Sequence, residues 1–465
     1  MLSFFKINGL FQILSCIMVL VLLQLPYYLS PPPLLISELE AMLIGEKMGQ
    51  GFMLYREVWD NVSPLSAVVY WCLDELFGRS LVAHRTLANL LILFQALYFN
   101  YISIQRQLFT ERNYLPGILY LLFINLSYDC STLSPALMAT TFLLLAFGTL
   151  IRQMQREGVT DEVFEMGFYL SLASLFYLPM SLFFVWALVS LLLYTGANLR
   201  QYALAVFGYL FPIGLTFLLF FFQDSLDDLK RNLLQFSFAT HRYSLTDFRG
   251  ILFSMSAMVI LGVLGFFQTL GYARFVNYQA RCQQIMVVWF ITAALAIVLV
   301  SYLAPMQMIA FIAPSAFFAV NFFLLMRRRW LTEAVFLVLF IGVFLLRYDI
   351  IFPKSSVRQL QHLQVKEALL PAAIRHQKIL VIGKNEGEYY SNQPTTAYLN
   401  WELARYDFEN LDSYESVISI FDNFTSDPPT YVIDKENLMP KVFARLPELS
   451  ARYQPTQWKG IYKSK

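Results

Sequence analysis

The sequence predicts a polytopic α-helical membrane protein with a small α/β domain near its C-terminal end. Of the 465 residues, 57% are hydrophobic and only 14% are charged, whereas about 25% of an average soluble domain is charged. The mean hydropathy is +0.53, and long apolar runs recur between residues 9 and 347. A helix that crosses a bilayer needs roughly 20 apolar residues, and continuous runs without alternation exclude a β-barrel.

The apolar runs predict about eleven membrane spans. They lie near residues 9–29, 82–104, 114–128, 136–151, 166–178, 181–196, 202–222, 250–270, 284–303, 307–326 and 331–347. Several are short, so neighbouring helices must cover their ends. The pairs 114–128 with 136–151 and 166–178 with 181–196 fit either hairpins or partly re-entrant segments.

Basic residues in the short loops indicate the orientation, because cytoplasmic loops carry an excess of Lys and Arg. With the N-terminus inside, the cytoplasmic loops hold Lys6, Arg106, Arg112, Arg152, Arg156, Arg200, Arg274, Arg281, Arg327, Arg328 and Arg329. An odd number of spans then places the C-terminal segment outside. The first apolar run lacks a small-residue cleavage site, so we expect a membrane anchor and not a signal peptide.

The polar stretches predict a transmembrane domain at residues 1–348 and an extracytoplasmic α/β domain at 349–465. The transmembrane domain carries two sizeable external loops, at 30–80 and 223–249. The C-terminal domain alternates strand and helix patterns, which lie at 378–383, 413–424, 430–434, 437–446 and 458–463. Such alternation indicates a small parallel or mixed sheet.

The first external loop is acidic and amphipathic between residues 36 and 65. Apolar residues with helical spacing predict two interfacial helices, at 37–49 and 64–77. Ser37 is the predicted N-cap of the first helix, and Glu40 occupies the capping-box position three residues later.

Charge and cysteine content exclude some classes of function. The net charge is only +2, and no basic tail is present, so nucleic acid is not an expected partner. The four cysteines form neither a CxxC pattern nor a disulfide framework, so the sequence predicts no structural zinc site.

One motif carries a family resemblance. The sequence LYREVWDNVSPL at 54–65 is followed by FGRSLVAHR at 77–85, and the C-terminal segment contains ILVIGKNEGEYYSN at 379–392 and PPTYVID at 428–434. This order of parts resembles the GT-C superfamily of membrane glycosyltransferases, and within it the bacterial dolichyl-phosphate-mannose-mannosyltransferase-like (ArnT-like, PMT-like) group. The resemblance implies a GT-C-like fold in the bacterial cytoplasmic (inner) membrane, with the C-terminal domain in the periplasm.

The chain departs from this family at two expected acids. The family's Asp–Glu pair early in the first loop aligns by spacing with Ser37 and Glu38, so Ser replaces the Asp. In the next external turn, Ala136 stands where a second acid is expected, although Asp129 lies nearby.

The resemblance implies transfer of a sugar from a polyprenyl-phosphate donor, which requires a general base. Glu38 is the first candidate and Glu40 the alternative, and each is also explained as part of a capped, solvated helix face. Asp60 either orients an acceptor or binds a divalent metal, or it accepts backbone N–H groups in a tight turn. The sequence leaves open whether a metal or cationic side chains hold the leaving phosphate, so no cofactor is certain.

Six further residues are candidates for substrate binding, namely Tyr55, Arg56, Arg85, His241, Arg242 and Tyr389. The alternative for Arg56 is a local ion pair with Glu57 or Asp60. Arg85 lies near the external end of a span, where a charge is costly unless it is paired or hydrated. Tyr389 is also explained by an aromatic belt or by domain packing.

The sequence therefore predicts a GT-C-type transferase that uses a polyprenyl-phosphate-linked sugar at the outer face of the membrane. The alternative is a catalytically inactive protein of the same fold, which serves as a scaffold for protein partners in an envelope export or assembly complex. The missing Asp at Ser37 favours that alternative. A secondary transporter is disfavoured because matching pairs of Gly- or Pro-broken spans are not evident.

Overall fold

The computed structural model describes residues 1–155, 160–235, 251–271, 275–300, 304–348, 363–383, 387–395 and 397–465. The predicted site residues His241 and Arg242, most of the loop at 223–249 and the predicted boundary at residue 349 lie outside these ranges.

The chain divides into two compact units. The helical unit comprises Met1–Pro32, Val82–Leu218 and Ala239–His362, and the α/β unit comprises Pro33–Leu81, Leu219–Phe238 and Leu363–Lys465. The first external loop therefore groups with the C-terminal segment, although a membrane helix follows it directly in the chain.

Most of the first 347 residues are helical. The helices are α1 Leu2–Phe5, α2 Leu10–Leu29, α3 Ile36–Gly49, α4 Pro64–Phe77, α5 Leu81–Gln105, α6 Leu115–Ile124, α7 Pro135–Gln155, α8 Asp161–Phe176, α9 Leu182–Tyr194, α10 Leu199–Phe222, α11 Leu226–Leu229, α12 Ser256–Leu270, α13 Asn277–Val298, α14 Ile312–Leu325 and α15 Arg329–Arg347. Each of the eleven predicted spans overlaps one of these helices. Among the described residues, seven helices are long and apolar enough to cross a membrane.

The class of a polytopic α-helical membrane protein is thus confirmed. The number of crossings and the orientation stay predictions.

The helical unit has a core of two helices and buried aromatic rings. In α7, 78% of the most apolar 18-residue stretch is buried. In the segment Pro305–Leu325, which ends with α14, the buried share is 83%. Trp186 of α9 and Trp289 of α13 lie 5.0 Å apart in an edge-to-face arrangement. Each indole N–H donates to a backbone carbonyl, that of Ile285 at 3.2 Å and that of Ala310 at 2.8 Å, so both buried donors are satisfied.

A five-stranded mixed sheet organises the C-terminal part of the α/β unit. Its strands are β1 Lys378–Ile382, β2 Gln393–Pro394, β3 Tyr431–Asp434, β4 Tyr453–Pro455 and β5 Ile461–Ser464, in the order β2-β1-β3-β5-β4. Strand β1 pairs in parallel with β2 and β3, whereas β5 pairs antiparallel with β3 and β4. The helices are α16 Trp401–Glu409, α17 Tyr414–Ser426, α18 Met439–Arg445 and α19 Pro447–Arg452.

The predicted small mixed sheet is confirmed. Strands β2 and β4 were missed because two or three residues are too few for a periodic signal.

The start of α3 corrects one prediction. The helix begins at Ile36, and the backbone N–H of Leu35 donates to Glu38 Oε2 at 3.1 Å. The carboxylate in the capping-box position is therefore that of Glu38, and the assignment of Ser37 and Glu40 to the cap was wrong. The reason is tertiary, because an isolated bridge to Gln364 keeps Leu35 extended.

The loop between α3 and α4 pairs with the C-terminal segment. The backbone N–H of Trp59 donates to the carbonyl of Ala397 at 3.0 Å, and the N–H of Ala397 donates to the carbonyl of Glu57 at 2.7 Å. The Trp59 ring packs into the same apolar core as Leu380 and Val432 of the sheet. These contacts fix the position of the acidic loop within the α/β unit.

Candidate functional site

Asp60 is a buried carboxylate in the α/β unit. Its side chain is held in place because Oδ1 accepts the backbone N–H of Val62 at 2.8 Å. Burial raises the pKa of Asp60 to about 6, although hydrogen bonds from Val62, Asn61 and Asn400 oppose that rise. A buried carboxyl group with a raised pKa is suited to proton transfer near neutral pH, but the bond to Val62 is also the turn contact that the sequence alternative describes.

Hydrogen bonds of Tyr55 hold the loop that carries Asp60 in place. It adopts a positive φ of 68°, and its hydroxyl donates to the carbonyl of Val62 at 2.6 Å. Its own carbonyl accepts the side-chain N–H of Asn232 at 2.8 Å. Burial and the charge of Asp60 raise the pKa of Tyr55 well above its ordinary value, so the phenol stays neutral and acts as a donor.

Tyr70 of α4 lies within electrostatic range of both Asp60 and Glu40. Burial raises the pKa of Tyr70, and the charges of Asp60 and Glu40 add to that rise, so both carboxylates lie within electrostatic range of one buried phenol. Glu40 is half-buried on α3, whereas Glu38 is buried and caps the helix. The structure therefore brings Glu40 and Asp60 close to Tyr70, a residue that the sequence analysis did not select.

Arg56 is exposed, in contrast to its neighbour Tyr55. Burial raises the pKa of Asp228, and the charges of Arg56 and Arg231 oppose that rise. Arg231 lies 5.0 Å from the ring centroid of Trp59 and pairs with the buried Asp407 at 3.4 Å. The sequence analysis placed Arg231 in the predicted loop at 223–249 and gave it no role. Its contact with Trp59 joins residues 172 positions apart, and such a contact leaves no local pattern in the sequence.

Tyr389 is buried in the α/β unit, and its hydroxyl accepts the backbone N–H of Val381 at 3.0 Å. Its carbonyl accepts a hydrogen bond from Arg79 at 2.5 Å. This geometry fits domain packing, which was the alternative to substrate binding. Within the described residues, no three His, Cys, Asp or Glu side chains are close enough together to hold a metal ion.

Arg85 lies in the helical unit, at the start of α5. It is buried, and its guanidinium lies 5.4 Å from the ring centroid of Tyr128. Tyr128 packs edge to face on Tyr27 at 4.9 Å, and the guanidinium of Arg347 lies 4.7 Å from the Tyr27 ring. We call these four residues the arginine–tyrosine row. It brings two cations to the two ends of one aromatic pair.

Arg347, at the end of α15, was missed by the sequence reasoning. Its exposed fraction is 1%. Its Nε donates to the Asn125 carbonyl at 2.8 Å, and its other nitrogens donate to the Ser127 carbonyl and the Ser131 hydroxyl. Among the described residues, all of its hydrogen-bond acceptors are neutral oxygens. These hydrogen bonds hold a buried cation at the end of α15, and both Arg347 and Asp129 lie within electrostatic range of Cys130.

The row includes the hydroxyl of Tyr27, and Asp129 directly follows Tyr128 of the row in the sequence. The Tyr27 hydroxyl is buried and has no hydrogen-bond partner among the described residues. Asp129, the acid near the expected family position, accepts the backbone N–H of Met306 at 2.7 Å. Ala136 is buried in α7.

The chain matches a model of the DUF6427 family, described as a family of unknown function, over residues 64–353. No curated protein sequence matches the chain. Among solved structures, it is similar to ArnT from Cupriavidus metallidurans bound to undecaprenyl phosphate, with a TM-score of 0.50 and 11% identity. That match covers 73% of this chain and 64% of ArnT, which is less than two-thirds of ArnT. The apo state of the same ArnT matches with a TM-score of 0.48 and 12% identity.

The similarity to ArnT confirms the predicted GT-C-like fold of a multi-pass membrane protein. The subfamily stays a prediction, because an identity this low shows the fold alone.

Proposed function

The chain belongs to the DUF6427 family, whose function is unknown, and from this premise we propose that it is a GT-C-like membrane glycosyltransferase. It transfers a sugar from a polyprenyl-phosphate donor to an acceptor at the outer face of the bacterial cytoplasmic membrane. The α/β unit, with the acidic first loop, then lies in the periplasm.

The arginine–tyrosine row is the observation that supports this proposal most. Arg85 lies in the second turn of α5 and Arg347 ends α15, and the predicted orientation puts both of these helix ends at the outer face. The guanidinium groups of Arg85 and Arg347 are both buried, and a buried cation attracts a phosphate monoester or diester more strongly than an exposed one does. The Tyr27 hydroxyl supplies a further donor that is free among the described residues. The ArnT structure of similar fold was solved with undecaprenyl phosphate, which is a lipid of this chemistry.

The transfer step requires a base for the acceptor hydroxyl. The acceptor oxygen attacks the anomeric carbon of the sugar, the bond from that carbon to the phosphate oxygen breaks, and the hydroxyl proton passes to a carboxylate. The polyprenyl phosphate leaves with the bonding electrons. We assign the base to Glu40 because it is half-buried and therefore accessible to an acceptor, whereas Glu38 and Asp60 are buried.

The second candidate function is that of a scaffold of the same fold without catalysis. It is favoured by the engagement of Glu38 and Asp60 with backbone N–H groups, and by Ser37 at the position of the family's Asp. Such a protein would bind the lipid or a protein partner in an envelope complex and would transfer no sugar.

Binding of undecaprenyl phosphate to the purified full-length protein in nanodiscs tests the lipid site. Tyr27→Phe removes only a hydroxyl that bonds to no described residue, so the fold is retained, and we expect the affinity to fall about tenfold or more. Arg85→Gln should weaken binding similarly. Arg281→Gln is the matched control, because Arg281 is exposed and donates to the carbonyl of Tyr194. Equal affinities in all four proteins would reject the site.

Transfer itself is tested with Glu40→Gln and a polyprenyl-phosphate-linked sugar. Loss of transfer with intact lipid binding supports the enzyme. If the wild type binds the lipid but transfers no sugar, the scaffold function is the correct one.

A further inference from the structure

A cleft of about 420 Å³ opens on the α/β unit and has no role in the proposed function. It is lined by Glu46 of α3, Asp74 of α4, Arg79, and the segments that contain His376, Tyr390 and Gln393. Its volume falls in the range of roughly 300–1,000 Å³ that is usual for small-molecule sites, and its lining combines charged and amide side chains with the ring of Tyr390.

Arg79 organises the cleft. Its two terminal nitrogens donate to the carbonyls of Tyr389 at 2.5 Å and Asn392 at 3.1 Å. One of them also lies 3.8 Å from Glu46 Oε2. Because a guanidinium presents its donors in a planar fork, Arg79 links the turn at 389–392 with the Glu46 side chain across the cleft.

Glu46 presents an unused acceptor to this cleft. Its Oε2 atom is buried and accepts no hydrogen bond from any described residue. Burial raises the pKa of Glu46, and the charge of Arg79 opposes that rise. An unsatisfied buried carboxylate oxygen costs free energy, and a hydroxyl or ammonium group of a ligand would satisfy it.

The charges of the lining select the ligand. Glu46 and Asp74 carry two negative charges and Arg79 one positive charge, so the cleft is net negative when His376 is neutral. Anions, including phosphates, are therefore disfavoured. Tyr390 is 48% exposed and offers an aromatic face, and the exposed Gln393 offers an amide. An aromatic face beside donors and acceptors fits the apolar face and the hydroxyl groups of a sugar ring.

We propose that this cleft binds a saccharide, and that it prefers a sugar with an amino group. The Tyr390 ring covers the apolar face of the sugar, and Glu46 Oε2 accepts a hydrogen bond from an amino or hydroxyl group. Arg79 links the two walls. This inference goes beyond the proposed function, because the cleft binds its saccharide whether or not the chain transfers a sugar.

Calorimetric titration of the full-length protein in nanodiscs tests the proposal with three trisaccharides of different charge. The probes are the chitosan trisaccharide, which is cationic, tri-N-acetylchitotriose, which is neutral, and trigalacturonate, which is anionic. We expect the cationic probe to bind most tightly and the anionic probe not to bind. The proposal is overturned if none of the three binds, or if trigalacturonate binds as tightly as the others.

Variants place the binding in the cleft. Tyr390→Ala and Gln393→Ala change exposed side chains, and each should weaken binding at least fivefold. Glu46→Gln should remove the preference for the cationic probe. Tyr414→Ala is the control, because Tyr414 is 79% exposed in the same unit and does not line the cleft. Binding that all of these variants leave unchanged would overturn the assignment. Undecaprenyl phosphate binding, measured on the same variants, should stay at the wild-type value, which keeps this test separate from that of the lipid site.

Discussion

The ammonium group of Lys47 lies 3.1 Å from the carboxylate of Asp427, and the exposed fractions of the two side chains are 0% and 1%. Lys47 is on α3 in the acidic loop, and Asp427 follows α17, 380 residues later in the chain. Lys378 of β1 pairs with the same carboxylate. Because each buried charge depends on its partner, this ion pair joins the acidic loop to the sheet within the α/β unit.

Substitution of Asp427 should weaken the attachment of the acidic loop to the sheet. We expect Asp427→Asn to destabilise the α/β unit by about 3–5 kcal/mol, the range for breaking a buried ion pair. Hydrogen exchange of the α3 amides, residues 36–49, measures this effect. Glu448→Gln is the control, since it breaks the exposed pair of Glu448 with Arg452 and should cost under about 1 kcal/mol. Equal exchange in the two variants would contradict a structural role for the buried pair.

The positions of the spans and of the longer strands were predictable because they depend on local patterns. A continuous apolar run marks a membrane helix wherever it occurs, and a helix overlaps each predicted span. The strand at KILVIG was found for the same reason. The start of α3 was misplaced because the bridge between Leu35 and Gln364 joins positions far apart in the chain, and no local pattern shows it.

Only part of the candidate site could be predicted, because a local signal marked some of its residues and only tertiary contacts identify the others. Arg85 was selected because a charge near the end of a span is unusual, whereas Arg347 resembled an ordinary basic residue at the end of the last predicted span. Its role depends on the Tyr27 ring and on carbonyls near residue 125. The proximity of Tyr70 to Glu40 and Asp60 follows from the packing of α3 on α4, which depends on Gly45, where a Cβ would lie 2.6 Å from the Tyr70 carbonyl oxygen.

Substitutions of Glu38 separate capping from catalysis. In Glu38→Gln, the amide oxygen accepts the same hydrogen bond from the Leu35 N–H, because Gln also serves in a capping box, so we expect an unchanged midpoint of thermal unfolding. Glu38→Ala loses the bond and should cost about 1 kcal/mol. Because Glu40 is the proposed base, Glu38→Gln should retain sugar transfer, and loss of transfer in this variant would assign the base to Glu38. A Gln variant with full transfer would restrict Glu38 to its capping role.

The stability of the α/β unit should depend on pH through Asp60. Burial raises the pKa of Asp60 to about 6, whereas that of an unfolded Asp is about 3.9. The folded state therefore binds the proton more tightly, so the added stability is fully present below about pH 4 and is lost as the pH rises through about 6. The full difference is about 3 kcal/mol.

Asp60→Asn should remove this dependence, because an amide does not ionise in this range. We expect the free energy of unfolding of the variant, relative to the wild type, to increase between pH 4 and pH 7. Hydrogen exchange of the α4 amides at both pH values measures it. A constant difference across this range would mean that Asp60 titrates at its ordinary value.

Two glycines of the helical unit provide a matched test of its core packing. At Gly265 of α12, an added Cβ would overlap the carbonyl oxygen of Phe318 in α14, and a backbone atom cannot rotate away. Gly265→Ala should therefore separate the two helices and cost about 1–3 kcal/mol, seen as a lower midpoint of thermal unfolding in one fixed detergent. At Gly342 of α15, nothing lies within 4 Å of an added Cβ, and Gly342→Ala should be neutral or stabilising because Ala favours the helix. If the two variants unfold at the same temperature, α12 and α14 do not cross as closely as the structure indicates.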